Sequence, residues 1–150
     1  MKFKKFLIEI LATYFYIGYL PSAGTLATLA SFPLVFLFDK LSFLIKLVII
    51  ILFLSVSVYI SSLAEKNFCN KDDRRIVIDE VVGFLISMFN IRLSFLNLMM
   101  GFFIFRFLDI FKIFGFKKLQ KLPSGWGILI DDIFAGILTN ISLKLILFLL

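Results

Sequence analysis

The sequence predicts an all-α fold: a multi-pass membrane helical bundle of about four transmembrane helices plus an N-terminal interfacial helix, in a single domain over residues 1–150. Three observations carry that expectation. The chain is 61% hydrophobic with 21 Phe and a mean hydropathy of +1.06, against about 45–50% apolar residues in soluble domains. Its apolar residues gather into long runs, which in water would be an aggregation hazard and in lipid are the matching surface. Its Lys and Arg fall in short clusters between those runs rather than along one solvated face. The net charge of +6 therefore points to the bilayer and an anionic phospholipid as partners, not to nucleic acid. Cys69 is the sole cysteine, so no internal disulfide forms, and the absence of histidine removes the usual general base and any His-ligated metal site.

Met1 to Leu20 opens with Lys2, Lys4 and Lys5 ahead of an apolar stretch. Glu9 interrupts that stretch and Pro21-Ser22 follows it, so the segment reads as a helix at the cytoplasmic interface, with Tyr14, Tyr16 and Tyr19 at headgroup level, rather than as a cleaved signal. Pro21-Ser22-Ala23-Gly24-Thr25 then punctuates the chain before the apolar run Leu26 to Phe38. Ser22 or Thr25 can cap the helix that begins there; a helix start also attracts anions, and spacing alone favours the simple cap.

Leu41 to Ala64 is the clearest span, exceeding the ~20 residues that cross a bilayer core. Residues 65–75 form the most polar loop. Ile76-Val77-Ile78-Asp79-Glu80-Val81-Val82-Gly83 reads as the entry of a third span to about Ile91, and Leu93 to Phe114 as a fourth, with Arg106, Asp109 and Lys112 in its last turns. A basic loop with Lys117, Lys118 and Lys121 leads through Pro123 to Gly127 into the final run, which carries Asp131-Asp132 near its start. Basic residues concentrate in the N-terminus and in residues 65–75 and 112–121, whereas the opposite side holds only Lys40, Lys46, Arg92 and Lys144. The first set is therefore expected in the cytoplasm. Asp79, Glu80, Asp109, Asp131 and Asp132 then share one depth near that boundary.

A carboxylate at the centre of a membrane helix costs roughly 2.5–3.5 kcal/mol, so intramembrane acids need a basic partner or a cation. Acids on three segments, without histidine, suit a hard cation such as Mg²⁺, completed by water and phosphate. Arg106 and Lys112 lie three residues either side of Asp109 and share its side of a helix. A structural salt-bridge network satisfies the same placement, as does an ion-coupled transporter, although a transporter favours acids at the bilayer centre and an inverted repeat. Other motifs fail. Gly125-Trp126-Gly127 lacks the third glycine of a dinucleotide fingerprint, there is no Walker A sequence, and the loop between Cys69 and Arg75 places two carboxylates where a cysteine phosphatase cradles phosphate. Asn140-Ile141-Ser142 lies within an apolar run and is discounted as a glycosylation acceptor.

Four segments together resemble the phosphatidylglycerophosphatase A family: Ala23 to Leu29, Ile76 to Gly83, Phe105 to Lys112, and Gly125 to Gly136. The chain departs from the family pattern at Ala23, Ala27, Asp73 and Ile113 to Gly115, and keeps every acid of the core motifs. The resemblance implies a Mg²⁺-dependent phosphatase acting on phosphatidylglycerophosphate at the cytoplasmic face of the inner (plasma) membrane. On that reading Asp79, Glu80, Asp131 and Asp132 bind metal, and Asp109, with Asp79 and Glu80, is catalytic. Gly24, Thr25, Arg106 and Lys112 hold substrate oxygens.

Overall fold

The computed structural model describes residues 2–111 and 125–149. Those residues are helical, with no strand among them: α1 (Lys2–Ala12), a 3-10 turn (Ile17–Tyr19), α2 (Ala23–Ala30), α3 (Phe32–Asp39), α4 (Phe43–Phe68), α5 (Ile78–Ser87), α6 (Phe95–Phe111) and α7 (Trp126–Leu149). Two of them, α4 and α7, are long and apolar enough to cross a membrane. On α4 most side chains face outward, among them Leu44, Ile45, Val48, Leu52 and Tyr59. Against water such a surface would be costly, and against lipid it is not.

α5 is shorter than the sequence suggests. Ten residues cover only about 15 Å at 1.5 Å per residue, roughly half a hydrocarbon core, and the helix stops at Ser87 where residues to Ile91 were expected to continue it. Asn90 takes a left-handed backbone, φ 54°. The carbonyls released at the break are not left bare: Asn140 Nδ2 on α7 donates to Ser87 O at 2.9 Å and to Phe89 O at 2.7 Å. α6 then starts with Ser94 Oγ accepting from the Asn97 N–H at 3.1 Å, the side-chain cap expected of serine at a helix start.

Two larger apolar clusters and a small one, of Ala27, Val77 and Val81, hold these helices together. One of the larger two joins Phe84, Leu85, Phe102, Phe105 and Leu143, from α5, α6 and α7, to Val35 and Phe38 of α3. The other joins Ile8 and Ala12 of α1 to Ile60 and Ala64 of α4 and Ile128 and Leu129 of α7. α1 exposes Phe3, Phe6 and Leu11 along its other face. Arg75 and Gly18 meet backbone to side: a Cβ on Gly18 would overlap the Arg75 carbonyl. Together with the Val77 N–H bond to Ala12 O at 2.9 Å, that contact presses the N-terminal segment onto the loop preceding α5.

Candidate active site

The most extensive helix pair is α5 with α7, and its geometry follows from two glycines. A Cβ on Gly83 would lie 2.8 Å from Asp132 O and 3.0 Å from Asp132 Cβ, and a Cβ on Gly136 would overlap Gly83 O. Only hydrogen fits at either position, so the two backbones approach closely there. Asp79 lies four residues before Gly83 and Asp132 four before Gly136. One helical turn before the crossing, each helix thus presents an acid on the face that packs against the other.

The result is a carboxylate trio. Asp79, Glu80 and Asp132 each offer one oxygen, and the three oxygens lie within 4.8 Å of one another. Asp79 and Asp132 are 7% and 4% exposed. Asp79 Oδ1, Glu80 Oε2 and Asp132 Oδ1 are buried without a hydrogen-bond donor among the described residues. Buried acids with orphaned oxygens are costly unless a cation meets them, and an all-oxygen donor set is what Mg²⁺, Ca²⁺ or Mn²⁺ takes. The residues therefore fit a hard divalent ion. Asp79 and Glu80 also stand in the first turn of α5, where the positive end of the helix dipole favours negative charge.

Asp131, expected as a further ligand, lies outside the trio. Successive residues on a helix point about 100° apart, so with Asp132 turned to α5, Asp131 is left lining the cleft. Asp109 forms an ion pair with Arg106, Nη1 to Oδ2 at 2.6 Å, both side chains largely buried. The i,i+3 spacing read from the sequence thus makes a pair between them. Arg106 Nε is buried and has no acceptor among the described residues. Lys112, expected to bind substrate, lies outside the described residues, as do Lys117, Lys118 and Lys121.

Gly24 brings α2 to the same place. A Cβ there would overlap Glu80 Oε1 and lie 3.2 Å from Arg106 Nη1. Ser22 occupies the cap position of α2 in a left-handed conformation and makes no side-chain cap bond. The simple cap that spacing favoured is therefore not formed. Ser22, Ala23, Gly24 and Thr25, at the start of α2 where the first-turn N–H groups have no partner within the helix, line a cleft of about 1210 Å³. The cleft is lined as well by Asp79, Glu80, Arg106, Asp109, Asp131 and Asp132. Every expected site residue within the described part of the chain meets it.

Sequence reasoning missed another part of the lining, Asn70 and Asp72 to Arg75. Asp73 is buried and accepts from Arg75 Nε and Nη2, both at 2.8 Å, from the Arg75 N–H at 3.0 Å and from Asn70 Nδ2 at 3.1 Å. The bond from Arg75 holds the Asp73 carboxyl well below the usual carboxylate range. Arg75 also stacks on Phe68 with its guanidinium carbon 4.1 Å from the ring centroid. The available signal was proximity, since this polar loop ends one residue before the segment that carries Asp79.

Residues 10–147 match the profile of the family described as Phosphatidylglycerophosphatase A. A phosphatidylglycerophosphatase A from Haemophilus influenzae is 35% identical over 87% of this chain and 82% of its own, and one from Escherichia coli is 30% identical over 77% and 69%. A Bacteroides thetaiotaomicron protein with the provisional name phosphatidylinositol-3-phosphatase is 30% identical over 91% of both chains. No solved structure matches significantly. A profile match that leaves so little of the chain outside it, and relatives aligned over most of their length, establish that this chain belongs to the phosphatidylglycerophosphatase A family.

Proposed function

We propose that the chain, acting as one catalytic unit over residues 1–150, hydrolyses the terminal phosphomonoester of phosphatidylglycerophosphate to phosphatidylglycerol and inorganic phosphate. The observation that carries this reading is the convergence of Asp79, Glu80 and Asp132 from two helices, with orphaned oxygens, in a cleft that also holds Arg106 and the uncapped start of α2. Family membership and the names of the Escherichia coli and Haemophilus influenzae relatives support the substrate. Nothing favours the ion-coupled transporter.

Asp79, Glu80 and Asp132 would hold Mg²⁺, with Asp131 reaching it through water. The ion would supply Lewis-acid polarisation of a phosphoryl oxygen and a more acidic water. Arg106, the N–H groups around Gly24 and Thr25, and Lys112 hold the phosphoryl oxygens and neutralise their charge. Asp109, fixed by Arg106, orients the attacking water and takes its proton as the new O–P bond forms and the P–O bond to glycerol breaks. The proton then passes to the departing glycerol oxygen. The acyl chains stay in the bilayer, which is why a phosphatase of this kind has so apolar a surface. The polypeptide crosses the inner membrane about four times, with α1 at the interface and the cleft mouth in the cytoplasm; the clustering of Lys and Arg supports that orientation.

Phosphate release by the purified chain in detergent micelles tests the proposal. Turnover of phosphatidylglycerophosphate is expected to require Mg²⁺, to stop with chelator and return with added ion, and to fall at least about a hundred-fold in D79N. The variant should still elute as the folded protein. Ordinary turnover by folded D79N would remove Asp79 from the site.

A further inference from the structure

Three arginines line the cleft among the described residues, and they differ in what they face. Arg106 is paired with Asp109 and Arg75 with Asp73. Arg74 is exposed in the cleft wall and has neither a carboxylate nor a hydrogen-bond partner among the described residues. It is the cation in that wall whose charge is still available to a ligand.

The backbone that carries Arg74 is held from both sides. The Asp72 N–H donates to Glu65 Oε1 at 2.9 Å, the Ile76 N–H to Asp73 O at 2.8 Å, and the Arg75 side chain closes on Asp73 and lies against Phe68. Gly18 packs directly on the Arg75 carbonyl. A guanidinium on so fixed a base loses only its own rotamer freedom on binding, and Arg with phosphate makes charge-assisted, often bidentate, bonds.

The phosphate that reacts is not the ligand such a group suits. Asp79 and Asp132 are buried and Arg74 is exposed, so a phosphomonoester seated at the trio leaves Arg74 to a second anion nearer the mouth. A phospholipid whose headgroup bears a terminal monoester has such an anion, the phosphodiester that joins the headgroup to diacylglycerol. Phosphatidic acid, with one phosphate, does not. We propose that Arg74 is a specificity-determining residue that binds the headgroup phosphodiester while the terminal monoester occupies the trio. The assignment rests on the phosphatase reading and deepens it: the substrate class becomes a lipid with two phosphates separated by a polyol, whether glycerol or inositol.

The test compares phosphatidylglycerophosphate with phosphatidic acid of the same acyl chains, in neutral detergent micelles free of other anionic lipid, so that the substrate alone supplies the second anion. In R74A, the ratio of kcat/KM for phosphatidylglycerophosphate to that for phosphatidic acid is expected to fall about ten-fold, the loss of one charge-assisted contact, chiefly through KM. R74K should recover part of it. An unchanged ratio in folded R74A overturns the proposal and leaves the phosphatase reading standing. Should the parent protein turn over neither lipid, the phosphatase reading falls, and the subsite is judged from binding. Retention of D79N on micelles containing phosphatidylglycerophosphate must then drop about ten-fold on adding R74A, and equal retention of the two proteins overturns it.

Discussion

Gly83→Ala tests whether the glycine crossing builds the trio. The new methyl carbon would lie 2.8 Å from Asp132 O and 2.9 Å from Phe105 Cζ, where ordinary contact begins near 3.4 Å. The Phe105 ring can tilt; the Asp132 carbonyl is helix backbone and can yield only by moving α7. The helix must therefore retreat by about half an ångström at the residue that carries one of the three clustered carboxylates. Overpacking of this kind costs about 1–3 kcal/mol, and the better helix propensity of Ala returns about 0.5–1 kcal/mol. The net loss of stability is about 0–2.5 kcal/mol, at most a modest fall in thermal midpoint in detergent. The larger effect should be on the ion: spreading a donor set whose oxygens lie within 4.8 Å is expected to raise the half-saturating Mg²⁺ concentration at least about ten-fold. Titrating activity with Mg²⁺ in parent and variant, alongside thermal melts, separates the two. A folded G83A with the parent's Mg²⁺ dependence would refute the claim that this contact sets the ligand spacing.

Two further substitutions probe the supports of the site. Asn140→Leu removes the donor to Ser87 O and Phe89 O and should cost about 1–3 kcal/mol; N140D, which lacks the NH₂ donor, should behave alike in thermal melts, and parental stability in both would show that the α5 break needs no side-chain donor. Asp73→Asn breaks the doubly bonded carboxylate and should cost about 1.5–3 kcal/mol at neutral pH. Because Arg75 lowers the folded-state pKa of Asp73, that stabilisation is complete above the unfolded value near 4 and disappears as pH falls through the lower folded one. The gap between parent and D73N in melts is therefore expected to be constant from pH 7 to about 5 and to narrow below about 4; a gap that widens on acidification would contradict the assignment.

How much of this was legible beforehand differs by element. α4 and α7 are continuous apolar stretches, and hydropathy alone locates them. α5 is not, because its end is set by Asn140, a residue 53 positions beyond Ser87, and no local signal announces such a partner. The Arg106–Asp109 pair follows from i,i+3 spacing within one helix. That Asp132 rather than Asp131 joins the trio does not follow from the sequence pair, since either of two adjacent acids can be turned inward until the packing partner is known. The signal that could have chosen was present: Asp79 and Asp132 each precede a glycine by four residues. Only the knowledge that those glycines face one another gives the spacing its meaning.

Composition and the order of apolar runs by themselves determined that this protein is helical and lipid-compatible, because burying 61% hydrophobic residues without a matching solvent is physically untenable. The types of its acids and the absence of histidine likewise limited the side-chain donors of any metal site among those acids to oxygen. Tertiary structure decided which carboxylates meet, which are neutralised by arginine, and that the loop before α5 lines the same cleft. Those outcomes depend on the approach of two backbones at Gly83 and Gly136, a contact between distant segments whose free energy belongs to the pair and is carried by neither segment alone.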